Sequence, residues 1–280
     1  MKISIVGTGY VGIVSGACFA EIGNEIICVD VVKEKVELIN SGKSPIFEPQ
    51  LEEMIARNLK QKRLRATLDL QDAVKNSEIT FICVGTPPQP SGETDLSYIY
   101  GAAEGIGKAL KEKKEKHVVV VKSTVPPGTS ERVAEIVEKQ SGKKRGKEFG
   151  VCMTPEFLRE GNAVYDFMNP DRTVIGGENA EDIEKVASLF ARFKAPIVKT
   201  NLRTAEMIKY ASNAFLATKI SYINEIASIC EKLGIDVYEV ADGAGFDKRV
   251  GRAFLNAGAG WGGSCFGKDV KSLVFTAKKN

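Results

Sequence analysis

One cysteine of the chain stands in a setting unlike the others. Cys265 lies within Gly258–Asp269, Gly-Ala-Gly-Trp-Gly-Gly-Ser-Cys-Phe-Gly-Lys-Asp, where five glycines crowd a short stretch. Glycine admits positive φ and close backbone approach, so such a loop can fold tightly around a ligand. Downstream, Lys268–Val274 reads as the first turns of a helix, and a helix N-terminus favours a nearby thiolate. Cys265 and Asp269 are four apart and would share a helical face. From this stretch alone two readings stand, a nucleophile in a ligand loop and an inert cysteine in a glycine-rich hinge. Lys209 and Asn213 are also four apart, on a long helical pattern. They form either an ammonium–amide pair able to hold an oxyanion or two polar residues on a solvated face. Glu156 and Glu160 follow a strand end with the same spacing, as catalytic or ordinary surface acids.

A second motif sits at the start of the chain. Lys2–Val6 reads as a buried strand, followed by Gly7-Thr8-Gly9-Tyr10-Val11-Gly12 and a helical pattern over Ile13–Ile22 that stops at Gly23. A second strand, Glu25–Val29, ends in Asp30. Strand, Gly-x-Gly-x-x-Gly, helix, strand, acid is the arrangement that binds a dinucleotide, with the pyrophosphate at the helix N-terminus. Gly7, Gly9, Tyr10, Val11 and Gly12 are the candidate contacts there. Asp30 would accept the adenosine ribose hydroxyls and repel a 2′-phosphate, so NAD is expected rather than NADP, with Lys33 and Lys35 close by. Thr86, in Gly85-Thr86-Pro87-Pro88 after the strand Ile79–Val84, is a further candidate, because ligands of open parallel sheets bind at strand carboxyl ends.

Composition narrows the chemistry. The chain has 280 residues, 43% apolar and 27% charged, with a net charge of +3. That charge argues for neither a nucleic acid nor a membrane surface as partner, and no apolar run approaches the ~20 residues of a membrane span. There is one histidine, His117, at a strand entrance, which disfavours a histidine base, a histidine triad or a histidine-bound zinc, and no metal site is expected. Six cysteines without a Cys-x-x-Cys pair fit reduced thiols of a cytoplasmic protein.

Strand and helix patterns alternate from Lys2 to Lys199, including helices over Ser97–Leu110 and from Thr129 or Ser130, one of which should cap it, to Lys139. The expected fold is α/β: a Rossmann-type doubly wound parallel sheet over residues 1–200. Residues 201–280 follow as an all-helical domain dominated by one helix over 201–233. At 1.5 Å per residue that helix is about 50 Å long, so part of it should pack on a neighbouring domain or subunit.

Taken together, Gly7–Gly12, Ser123-Thr124-Val125-Pro126-Pro127-Gly128, Pro155-Glu156-Phe157-Leu158-Arg159-Glu160-Gly161, Ala205–Tyr210, Asn213–Ala217 and Gly262-Gly263-Ser264-Cys265-Phe266 resemble the UDP-glucose/GDP-mannose dehydrogenase family of nucleotide-sugar dehydrogenases. The resemblance runs through the whole chain and is closest to the UDP-glucose branch. It implies two NAD-dependent oxidations of a primary alcohol to a carboxylate through a cysteine-bound intermediate. By the same resemblance Cys265 is the nucleophile, Lys209 and Asn213 hold the alkoxide or oxyanion, Asp269 and Thr124 position water, and Glu156 assists thioester hydrolysis. Thr124 and Glu160 also join the cofactor contacts, while Phe157, Leu158, Arg249 and Gly262 join the substrate contacts. Arg249 would reach a neighbouring subunit's substrate, in a homodimer built on the 201–233 helix. The chain departs from the family at Thr154, often Asn there, at Gly267, often Pro, and at Trp261, usually Phe or Tyr. The family continues past the cysteine loop into a third, nucleotide-binding domain, and a chain ending at Asn280 is expected to lack it, binding the nucleotide sugar weakly.

Two other readings compete. A short β-hydroxyacid dehydrogenase would also use a Rossmann domain and a Lys/Asn pair, but needs no cysteine and makes one NADH per substrate. An inactive NAD-binding module would not need Lys209, Asn213, Cys265 and Asp269 together.

Overall fold

The computed structural model describes residues 1–279, apart from the side chain of Ser264. The chain forms two compact units. The first comprises Met1–Pro87 and Asp95–Met207; the second takes Pro88–Thr94 and the chain from Ile208 onward.

The first unit is built on an eight-stranded sheet in the order β3-β2-β1-β4-β5-β6-β7-β8. Its strands are β1 (Lys2–Val6), β2 (Glu25–Val29), β3 (Leu64–Thr67), β4 (Ile79–Ile82), β5 (His117–Val121), β6 (Phe149–Met153), β7 (Thr173–Gly177) and β8 (Ile197–Thr200). Every residue of β4, β5 and β6 is buried, as expected of strands covered on both faces, where the apolar pattern is a continuous run instead of an alternation. The helices are α1 (Tyr10–Glu21), α2 (Lys33–Asn40), α3 (Leu51–Lys60), α4 (Leu70–Lys75), α5 (Ser97–Leu110), α6 (Thr129–Ser141), α7 (Ala163–Met168) and α8 (Ala180–Ser188). Phe19 of α1 anchors the main core, its ring centroid 5.2 Å from Phe81, 5.0 Å from Phe167 and 5.6 Å from Phe190.

The first six strands pair in parallel. β7 then runs antiparallel to β6, with Met153 opposite Gly176, and β8 runs parallel to β7. A sheet parallel throughout was the expectation. The β6–β7 connection carries only the short α7 in place of a full crossover helix, and strand direction is set by how a connection returns, which a strand's own apolar pattern does not encode.

His117 is fully buried, and its Nε2 lies 2.7 Å from Thr80 Oγ1. Thr80 continues to Ser4 Oγ at 2.7 Å, and Ser4 to Ser77 Oγ at 2.9 Å. Burial pushes the imidazole down to about 3. It is a neutral member of a polar thread through the sheet.

The cap of α6 also departs from expectation. Its N-cap is Gly128, in the left-handed region at φ 98°, where neither Thr129 nor Ser130 could sit without strain. The backbone N–H groups of Gly128 and Ser130 instead donate to Glu206, at 2.6 and 2.7 Å. A carboxylate from a distant part of the chain thus satisfies the orphan donors of this helix.

The second unit is helical. It takes α9 (Leu202–Leu233) from Ile208 onward, with α10 (Val237–Gly245) and α11 (Gly263–Lys279). Ile223, Ala241 and Leu255 form its small core. The segment Pro88–Thr94 closes on itself through a β-bridge and sits against α11, Thr94 Oγ1 lying 2.7 Å from Ser272 Oγ. Ser272 in turn donates to Tyr210 Oη of α9 at 3.1 Å. α11 begins at Gly263, earlier than the Lys268 start read from the sequence, so Cys265 lies in its first turn.

Candidate active site

In the first unit the glycine turn follows β1 directly. A Cβ at Gly12 would lie 1.8 Å from the Gly7 carbonyl oxygen, so only glycine fits there. At Gly9 the same position meets no atom within 4 Å. The backbone at the start of α1 therefore faces open space, which fits a pyrophosphate approaching the helix N-terminus. Tyr10 and Val11 open α1, half-buried.

Asp30 directly follows β2 and is 8% exposed. Thr8 donates to its Oδ2 from the backbone N–H at 2.8 Å and from the hydroxyl at 2.5 Å, and the Val32 N–H donates to Oδ1 at 3.0 Å. Lys35 Nζ lies 3.9 Å from Oδ2. Burial alone would raise this carboxyl, but the Thr8 and Val32 donors and Lys35 outweigh it and hold it below the usual carboxylate range. An ionised acid at this place suits a diol and opposes a phosphate. Thr86 and Thr124 are both buried near the carboxyl ends of β4 and β5.

The 154–161 loop follows β6. Glu156 is buried, and its Oε2 accepts the Leu158 N–H at 2.6 Å. Phe157 stacks under Arg172, whose guanidinium carbon is 3.6 Å from the ring centroid. Leu158 packs on the main core, while Glu160 is exposed. Glu48, from a loop that carried no signal of its own, takes Tyr10 Oη, the Gly161 N–H at 2.9 Å and the Ala163 N–H at 2.7 Å.

In the second unit Lys209 and Asn213 are both buried on one face of α9. Asn213 Nδ2 donates to Asp269 Oδ2 of α11 at 2.6 Å, and Lys268 Nζ lies 2.6 Å from Oδ1. Asp269 is itself 2% exposed. Cys265 stands one turn before it on α11 and is half-buried, whereas the other five cysteines are buried. Gly262 precedes the helix, exposed. Arg249 reaches into solvent and pairs with Asp247 at 2.6 Å.

The sites expected from the sequence thus gather as two sets, one in each unit. Both parts of the chain match known domains. Residues 1–194 match the NAD binding domain of the UDP-glucose/GDP-mannose dehydrogenase family, and residues 203–280 match its central domain. The chain belongs to the UDP-glucose/GDP-mannose dehydrogenase family.

Relatives bear this out. The chain is 51% identical over 277 residues to the UDP-glucose 6-dehydrogenase TuaD of Bacillus subtilis, covering 99% of this chain and 59% of TuaD. It is 43% identical to the GDP-mannose 6-dehydrogenase of Azotobacter vinelandii, with 99% and 64% covered. A UDP-glucose dehydrogenase structure from the archaeon Pyrobaculum islandicum superposes with a TM-score of 0.94 at 43% identity, over 99% of this chain and 64% of that one. The chain therefore spans about three-fifths of the length of these dehydrogenases.

Sequence reasoning missed three buried side chains that tie these segments together. Thr8 orients the Asp30 carboxylate, Glu48 joins the glycine turn to the 154–161 loop, and Glu206 caps α6 just after the loop that carries Thr124. Burial pushes Glu206 up to about 7 against the pull of its Ser130 and Gly128 donors. Thr8 alone carried a signal, its place inside the glycine motif.

Proposed function

We propose that this chain carries the NAD-binding and catalytic parts of an enzyme that oxidises the C6 primary alcohol of a nucleotide sugar, UDP-glucose, to the carboxylate. The observation that carries the reading is the buried Asn213–Asp269 pair, with Lys209 on the same helix face as Asn213 and Cys265 one turn from Asp269. The glycine turn and Asp30 would hold NAD, and two NAD molecules in succession would supply the hydride acceptors for two oxidations. In the first, Lys209 takes the hydroxyl proton and, with Asn213, holds the alkoxide as the C6 hydride leaves. The Cys265 sulfur then adds to the aldehyde carbon, forming a thiohemiacetal whose oxyanion the same donors steady. Loss of the second hydride yields a thioester. Water then cleaves the C–S bond and returns the cysteine, and the family resemblance assigns its positioning to Asp269 and Thr124 and its deprotonation to Glu156. A free aldehyde gives up a hydride poorly, and covalent addition removes that obstacle.

UDP-glucose is favoured because relatives at 51%, 47% and 46% identity are named UDP-glucose 6-dehydrogenases, against 43% for a GDP-mannose enzyme. The exposed α9 residues Phe215, Tyr222 and Ile229, spaced by seven, support a homodimer along this helix. Counting NADH formed per UDP-glucose consumed tests the reading. Two NADH are expected, and one would return weight to a short β-hydroxyacid dehydrogenase.

A further inference from the structure

We propose that Glu48 is a positioning residue for this reaction, its carboxylate holding the 154–161 loop in register with the dinucleotide turn. The inference rests on the dehydrogenase reading and adds a residue to it. Glu48 lies between Phe47 and Pro49 in an irregular stretch and is 6% exposed, a rare degree of burial for a glutamate without a role for its charge. Three donors converge on it. Oε2 accepts the Tyr10 hydroxyl and the Gly161 N–H, and Oε1 accepts the Ala163 N–H. The Gly161 N–H is shared with Tyr10 Oη at 2.8 Å, closing a ring of contacts.

Each arm ends where the proposed chemistry has a stake. Tyr10 is the residue after Gly9, whose backbone faces the open space that fits a pyrophosphate. Gly161 closes the loop carrying Glu156, Phe157 and Leu158. That loop is stiffened from within. Glu156 takes the Leu158 N–H, and Asp166 takes the Arg159 guanidinium at 2.6 Å and the Asn162 side chain at 2.8 Å. A shift at Gly161 is therefore passed along the loop instead of being absorbed by it.

A plain helix cap would explain the bonds to Gly161 and Ala163. It would not require the bond to Tyr10, from the other side of the cofactor turn. A carboxylate suits the place because only an acceptor with two oxygens can serve every donor. Glutamine has the same shape, but in either orientation its amide would set an N–H against a backbone N–H. Burial first, and then the Glu48 bond, raise the Tyr10 hydroxyl above its ordinary range, so it remains a donor at working pH.

The test compares wild type, Tyr10→Phe, Glu48→Gln and the double variant. NAD affinity is read by calorimetry, and kcat and KM by NADH formation from UDP-glucose. In Glu48→Gln the Kd for NAD should rise about tenfold and kcat should fall by about 10- to 100-fold, the scale of a misplaced catalytic loop. Tyr10→Phe should move both in the same direction by less. The double variant should match Glu48→Gln alone, because the two residues act as one unit. Wild-type Kd and kcat in Tyr10→Phe, or effects that simply add, would reduce Glu48 to a helix cap and overturn the proposal. If Glu48→Gln fails to fold, Tyr10→Phe still decides, since it leaves both amide bonds in place. Wild-type enzyme making no NADH would instead defeat the proposed function, while the NAD titrations would still judge Glu48.

Discussion

Asn213 donates its side-chain amide to the Asp269 carboxylate at 2.6 Å, joining α9 to α11 through two buried residues. Lys268 occupies the other Asp269 oxygen, so the carboxylate keeps a fixed orientation one turn from Cys265. Asn213→Ala removes one charge-assisted bond from a buried acid and should destabilise the fold by about 1.5–3 kcal/mol. It also removes a proposed oxyanion donor, so kcat should fall by about 10²–10³. Thermal unfolding and NADH assays check both. A variant with wild-type Tm and turnover would refute the role.

Cys265→Ser should cut acid production severely while leaving the fold intact, because this side chain is half-buried at the start of α11. An oxygen ester hydrolyses less readily than a thioester, so a slowly turning covalent intermediate should accumulate, visible as added mass on the protein. Serine at any of the five buried cysteines should instead lower stability and leave the NADH stoichiometry at its wild-type value. Near-normal acid production by the Cys265→Ser enzyme would sink the assignment.

NAD should bind more tightly than NADP, because Asp30 is held ionised by Thr8 and Val32 at the end of β2. Asp30→Ala should weaken NAD binding by roughly 1.5–3 kcal/mol, about 10- to 100-fold. Thr8→Val, which deletes one donor to that acid, should weaken it less. Calorimetric titration of both cofactors settles the matter, and equal wild-type affinity for the two would count against it.

His117 is the chain's single histidine, so its ring protons give one unambiguous pair of NMR signals. They should not shift between pH 8 and 5, because burial holds the folded-state value at about 3. The unfolded chain, with an ordinary value near 6.5, binds the proton first. The neutral imidazole thus costs nothing above about pH 6.5. Below it stability falls, by up to about 1.4 kcal/mol per pH unit until the folded value is reached. His117→Asn should flatten that acid slope. A titration midpoint near 6.5 in the folded protein would contradict the burial argument.

Phe215, Tyr222 and Ile229 are 62%, 57% and 54% exposed on α9 at a strict interval of seven. If a second copy covers this stripe, Phe215→Glu with Ile229→Glu should convert the dimer to a monomer in sedimentation while NAD still binds. A wild-type chain that sediments as a monomer at every concentration would exclude the interface.

Local chemistry was legible in the order of residues. The glycine turn between two apolar strands announced a dinucleotide site, because backbone approach and helix placement are short-range properties written in neighbouring positions. The four-residue spacings placed Lys209 with Asn213, and Cys265 with Asp269, since a helix fixes its own periodicity. Three things needed the tertiary structure. The reversed direction of β7 is decided by how its connection returns. The Glu206 cap on α6 replaces the local cap that Thr129 or Ser130 would have supplied. The Asn213–Asp269 and Glu48–Tyr10 bonds join side chains 56 and 38 positions apart. A buried polar group takes whichever partner the packing brings within about 3 Å, and no spacing along the chain encodes that choice.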